Sequence, residues 1–287
     1  MDFSYFFSGI QTDFCLMLLA PLACAVFRAI FLWRYHTHAI PRQLVASSFR
    51  YAFWWGMDFH AYLFLALLIC ASLPAALSTS FRPYADEVRL VIVTAYLCVL
   101  YLAFLGKMIF YYHFHDTFNA TIKLALHADK RNFADIFFNQ NHGILVLLSY
   151  IPYIGLCYLA SSWLLALPSA PYPAFDTVGG QYAFNTIFFL TAVAVFYWFR
   201  YGGTFRHRRK PEWDEVPAVV KDDVFMGKAV IDDLIIIEKL WHQKLHPSLQ
   251  HSDEEALKIM APVLPEKKGE AVLPFEAFEH RAAGARI

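Results

Sequence analysis

Five long apolar runs, residues 14–33, 53–77, 90–110, 144–167 and 182–199, leave this chain little choice of fold. Each is long enough to cross a hydrocarbon core of about 30 Å as a helix. Water is absent there, so every backbone N–H and C=O must be satisfied within the protein, and a helix does this segment by segment. Composition agrees, with 58% hydrophobic and 18% aromatic residues against 17% charged. Soluble domains carry roughly 45–50% apolar and about 25% charged residues. That balance excludes a disordered chain, a nucleic-acid binder and a small disulfide scaffold, and a net charge of zero gives no global field to recruit a polyanion. The first run lacks a basic leader and a small-residue cleavage site, so it is expected to stay as an anchor. Aromatic clusters at Phe53-Trp54-Trp55, Tyr111-Tyr112 and Phe196-Tyr197-Trp198-Phe199 mark the membrane edges. Pro21, Pro74 and Pro152 lie inside the runs, where neighbouring helices can satisfy the carbonyls they free.

The expected fold is therefore an all-α membrane protein. A five-helix transmembrane domain occupies residues 1–200, and a helical linker and tail occupies 201–287. Two connections are long. The second contains an amphipathic stretch, 118–138, whose apolar residues recur at helical spacing and are expected to lie in the interface plane. Beyond the last run, Arg206-His207-Arg208-Arg209-Lys210 leads into a predicted helix over 217–243, with Val220, Val224, Ile231, Leu234 and Ile235 on one face, which Glu238 interrupts. A short helix near 253–260 and a linker over 275–287 complete the tail, which can form at most a small cap on the membrane domain.

Three charged residues fall within the runs near one membrane face. Arg28 sits about a turn and a half from the end of the first, with Asp58 and Lys107 at similar depth in the second and third and His60 beside Asp58. Intramembrane charges are costly and usually functional. Consecutive antiparallel helices would let Asp58 and Lys107 pair. The group reads as a lipid-headgroup site in which Arg28 and Lys107 grip a phosphate while Asp58 holds them; the alternative is that both cations snorkel to water independently. The five cysteines, Cys15, Cys24, Cys70, Cys98 and Cys157, lie in apolar runs with no zinc-type spacing, and the twelve histidines read as surface or interfacial groups, so no metal site is expected in this chain. Only His242 and His246 fall at i, i+4, and only His60 lies within a run. Motifs of soluble enzymes, such as G-x-S-x-G and the P-loop, are missing.

Two stretches carry a family resemblance: Tyr111-Tyr112-His113-Phe114-His115-Asp116-Thr117-Phe118-Asn119 after the third run, and Arg200-Tyr201-Gly202-Gly203 after the fifth, followed by a long helix and a tail ending His280-Arg281-Ala282-Ala283-Gly284-Ala285-Arg286-Ile287. With five spans, they resemble the membrane half of lipoteichoic-acid-synthase-type proteins of the sulfatase-like phosphotransferase group. The resemblance implies a bacterial cell membrane, a separate or fused extracytoplasmic catalytic domain, and a divalent metal such as Mn that belongs to that domain, with anionic phospholipid as partner and no nucleic acid. The segment Gly56-Met57-Asp58-Phe59-His60 is similar to a family G-x-R-x-D pattern, but Asp58 and His60 stand at its Arg and Asp positions, so no role passes to them. No catalytic residue is found in the chain, and none of its residues is expected to catalyse transfer alone. The family topology places the tail outside. Charge counting disagrees: Arg34, Arg42, Arg50, Lys123, Lys130, Arg131, Arg200 and the 206–210 run share one side, against Arg82 and Arg89 on the other. The competing function is a stand-alone membrane binding or scaffold protein with a cytoplasmic basic tail.

Overall fold

A computed structural model describes residues 2–36, 39–119, 122, 134–205 and 220–242, together with the backbone of 266–267 and 270–271. Five helical passages are long and apolar enough to cross a membrane: Phe3–Tyr35, Arg42–Leu77, Arg82–Phe114, Gly143–Leu165 and Val178–Arg200. The five-span helical class is as expected from the apolar runs.

Four of the passages reach further than the runs that predicted them. The first is two helices, α1 (Phe3–Met17) and α2 (Leu19–Tyr35). It starts early because Asp2 caps it, its Oδ1 accepting from the backbone N–H of Ser4 (3.1 Å) and Tyr5 (3.2 Å). Asp13, read as the residue before the first span, is thus buried inside it. Each internal proline lies just past a break in its helix, because it has no N–H for the carbonyl four residues back. Pro21 follows the break at Leu18. Pro74 follows a π-turn over Leu68–Ser72, which separates α3 (Arg42–Leu67) from α4 (Leu73–Leu77). Pro152 follows the break at Ser149, between α6 (Gly143–Leu148) and α7 (Tyr150–Leu165). The third span is the unbroken α5 (Ala85–Phe114) and the fifth is α8 (Val178–Arg200).

Helix α5 packs on α2, α3 and α7, and α8 rests on α3. Leu16, Leu63, Leu67, Val93, Leu97, Leu100 and Phe104 fill the centre, with Phe27 stacked on Phe104 at 4.5 Å and 7°. Leu22, Leu102, Leu156 and Ile187 are exposed on the outer faces, where hydrocarbon is their expected solvent. Gly202 and Gly203 take positive φ (65° and 81°) to turn the chain after α8, and Gly203 lies against Trp54, so the turn needs residues without a side chain.

The helix predicted over 217–243 is, in its described part, two helices: α9 (Val224–Val230) and α10 (Asp233–His242). Two carboxylates divide it. Asp223 accepts from the N–H of Met226 (3.0 Å), and Asp232 Oδ1 accepts from Leu234 (3.1 Å) and Ile235 (3.3 Å), so the chain starts a new helix at each within the predicted one. Val220, Met226, Ala229, Val230 and Ile235 are buried against Phe31, Ala52, Trp55 and Tyr111. This stretch is an integral part of the first compact unit, Met1–His242. In the second, Gln243–Ile287, the described part is an antiparallel pairing of Glu266–Lys267 with Glu270–Ala271. Most of the amphipathic stretch (118–138), the helix near 253–260 and the 275–287 linker lie outside the described residues.

At the membrane face opposite the sequence-predicted site, Arg89 is fully engaged. Its Nε donates to Asp13 Oδ1 (2.8 Å), Nη1 to Asp86 Oδ1 (2.8 Å) and Nη2 to Ser72 Oγ (2.7 Å), while Ser72 Oγ donates to Asp13 Oδ2. Asp13 and Ser72 are inaccessible and Arg89 nearly so. A buried pair broken on one side leaves an uncompensated charge, at a cost of about 3–5 kcal/mol. Asp13→Leu is therefore expected to lower unfolding stability in micelles by that order, and Asp13→Leu combined with Arg89→Met to recover most of it.

Candidate functional site

Near the opposite leaflet, α2, α3, α5 and the α9–α10 junction bring charged groups together inside the protein. Lys107, 5% exposed, pairs with Asp233 at 2.8 Å, donates to the carbonyl of Ile231 (3.3 Å) and lies 5.1 Å over the Phe31 ring. Arg28 Nε donates to the carbonyl of Ala229 (3.0 Å), and its guanidinium lies 5.7 Å from the Phe49 ring centre. Burial pushes the Asp232 and Asp233 carboxyls above the usual carboxylate range, against the pull of Arg28 and Lys107. Cys24, Arg28, Lys107, Asp232 and Asp233 all line a cavity of about 30 Å³, large enough for a water molecule or two.

Around this centre the other predicted site residues take separate partners. Asp58 is ion-paired with Arg200, the last residue of α8, whose Nη2 also donates to Tyr62 Oη (3.0 Å) and whose guanidinium lies 4.9 Å from the Tyr62 ring centre. His60, 1% exposed, shares a hydrogen bond between Nδ1 and Tyr96 Oη at 2.9 Å. Gly56 lets the groups above it approach: a Cβ there would stand 3.0 Å from Asp232 Oδ2 and 3.1 Å from His60 Nε2. Lys228 of α9 ties the junction to the end of α5, donating to the carbonyl of His115 (2.7 Å) and pairing with Asp116 (3.2 Å).

Arg28, His60 and Lys107 thus converge from three different spans. The Asp58–Lys107 pair suggested by antiparallel packing does not form, because Asp233 satisfies Lys107 and Arg200 satisfies Asp58. Sequence reasoning missed Asp232, Asp233 and Arg200. The signal for the first two was present: adjacent carboxylates inside an otherwise apolar stretch, Ala229-Val230-Ile231-Asp232-Asp233-Leu234-Ile235-Ile236-Ile237. Arg200 was counted among the basic residues beyond the last span, and its place as the last residue of α8 gave no hint of a counter-charge in α3. Two of the five cysteines, Cys15 and Cys70, are exposed on helix surfaces, whereas Cys24 faces the charged cavity.

Comparison with known proteins gives no match to a family model, a curated protein or a solved structure.

Because Asp233 keeps 20% side-chain exposure, its pair with Lys107 is partly screened, and breaking it is expected to cost less than a fully buried pair. Lys107→Met or Asp233→Leu alone should lower the unfolding free energy in micelles by about 2–4 kcal/mol, and the two together by much less.

Proposed function

We propose that this chain is the membrane module of a phospholipid-headgroup transferase, and that Arg28 and Lys107 accept the anionic headgroup at the leaflet where they lie. One observation carries the reading. Two cations from different spans border a single cavity, and the carboxylates near them, Asp232 and Asp233, come from the segment beyond the last span. Cations that border a cavity can take a further anion there, and lipid phosphate is the anion at hand at this depth. Charge-assisted contacts to phosphate are stronger than neutral hydrogen bonds, and partial exclusion of water limits their screening. Of the other two predicted residues, Asp58 pairs instead with Arg200, and His60 lies beside Asp232 at Gly56. The resemblance to lipoteichoic-acid-synthase-type proteins supplies the reaction class, with the metal, such as Mn, and the nucleophile residing in an extracytoplasmic catalytic domain.

A stand-alone binding or scaffold protein with a cytoplasmic tail is the second reading, and one observation favours it. Lys and Arg outside the apolar runs cluster on the side of Arg34, Arg42 and Arg200, against Arg82 and Arg89 on the other, a bias that places the basic side inside.

Heat stability in defined lipid nanodiscs tests the headgroup site. Phosphatidylglycerol is expected to raise the melting temperature more than phosphatidylcholine, since a ligand at a hundredfold excess over Kd stabilises by about 2.7 kcal/mol. Arg28→Gln and Lys107→Gln should remove most of the difference. Equal shifts with both lipids in parent and variants would leave no headgroup site. Topology separates the two readings: with Cys15 and Cys70 replaced by Ala, Ser252→Cys is expected to react with an impermeant thiol reagent in intact cells, and labelling only after lysis would favour the scaffold.

A further inference from the structure

We propose that Cys24, His60 and Asp232 form a metal site for a zinc-like divalent cation, distinct from any metal of a catalytic domain; it shares Asp232 and the cavity with the headgroup reading but does not rest on it. One donor atom from each lies within 4.8 Å of the others, and the three come from separate elements: α2, α3 and the α9–α10 junction. A thiolate, an imidazole and a carboxylate are the donors that zinc takes, and three protein ligands with one open position is the arrangement of its reactive sites.

Each donor is oriented by a contact that leaves its ligating atom available. With its proton on Nδ1, His60 donates to Tyr96 Oη, which leaves the Nε2 lone pair facing Gly56. Ligating histidines commonly have such an outer contact on the second nitrogen. Asp232 uses Oδ1 for the two backbone N–H groups that begin α10 and turns Oδ2 toward the same glycine. Gly56 is what makes the approach possible, because a Cβ would occupy the space beside both atoms. Cys24 and Asp232 also line the cavity of about 30 Å³, which offers room for one small fourth ligand.

Binding releases the Cys24 thiol proton to solvent, since the thiolate is the ligand. Charge then selects the fourth ligand. Arg28 and Lys107 are balanced by Asp232 and Asp233, so a divalent cation with one thiolate leaves a single positive charge, which hydroxide or a phosphate oxygen offsets. The ion would also fasten the post-membrane segment to α2 and α3 through coordinate bonds.

The test uses the full chain, purified in detergent through a tag without histidines, loaded with zinc and with cobalt. The expected result is one zinc per chain by elemental analysis, and with cobalt a tetrahedral visible spectrum with a thiolate charge-transfer band. Cys24→Ser should abolish that band, His60→Gln and Asp232→Asn should each remove the metal, and Cys98→Ser should change nothing. Tyr96→Phe keeps all three ligands and is expected to weaken zinc binding about 10–100-fold. This conservative variant keeps the proposal open to refutation if a ligand variant fails to fold. Less than a tenth of an equivalent of zinc without a cobalt–thiolate band would overturn the site, and so would full occupancy in both Cys24→Ser and His60→Gln, which would place the metal elsewhere. Failure here leaves the headgroup reading intact, because no lipid enters the assay.

Discussion

A charge held in or beside hydrocarbon has to find an opposite charge within the protein, and this requirement organises both ends of the helix bundle. The two ends meet it differently. At one, Arg89 is enclosed by Asp13, Asp86 and Ser72, all from the first three passages, with each guanidinium nitrogen on its own acceptor. At the other, Lys107 obtains its carboxylate from Asp233, which lies beyond the fifth span. The first arrangement is closed and reads as a structural lock. The second borders a cavity and takes its carboxylate from outside the spans.

The origin of that second counter-charge has consequences for the whole molecule. Docking α9 and α10 places Phe225 parallel to Phe31 at 5.7 Å and buries Met226, Val230 and Ile235 among the aromatic ends of the first three spans. The apolar contacts are non-directional and would tolerate several poses, whereas the Lys107–Asp233 pair and the Lys228–Asp116 pair fix the rotation and register of the two helices.

The class of fold was legible because the apolar runs follow directly from bilayer thickness, and Arg28, His60 and Lys107 could be singled out because polar groups in such runs are conspicuous. Pairing was not legible. Helix adjacency makes Asp58 and Lys107 plausible partners, but the choice among Asp58, Asp232 and Asp233 depends on where residues 220–242 dock, and no local pattern encodes that docking. Asp13 was hidden for a different reason: the run scored as apolar starts after it, and only the Asp2 cap, eleven residues earlier, shows that the helix already includes it. The prolines were seen, yet their effect on the helix upstream appears only in the breaks at Leu18, Leu68–Ser72 and Ser149.

Ion pairing with the membrane helices, on top of the apolar contacts, holds residues 220–242 on the bundle in one pose. Hydrogen exchange over this segment, in nanodiscs, measures it most directly. Lys107→Asp alone is expected to speed exchange of the α9 and α10 amides at least about tenfold, corresponding to roughly 1.4 kcal/mol, and adding Asp233→Lys to restore much of the protection. Unchanged protection in the single variant, or equal loss in the single and the exchanged pair, would contradict it.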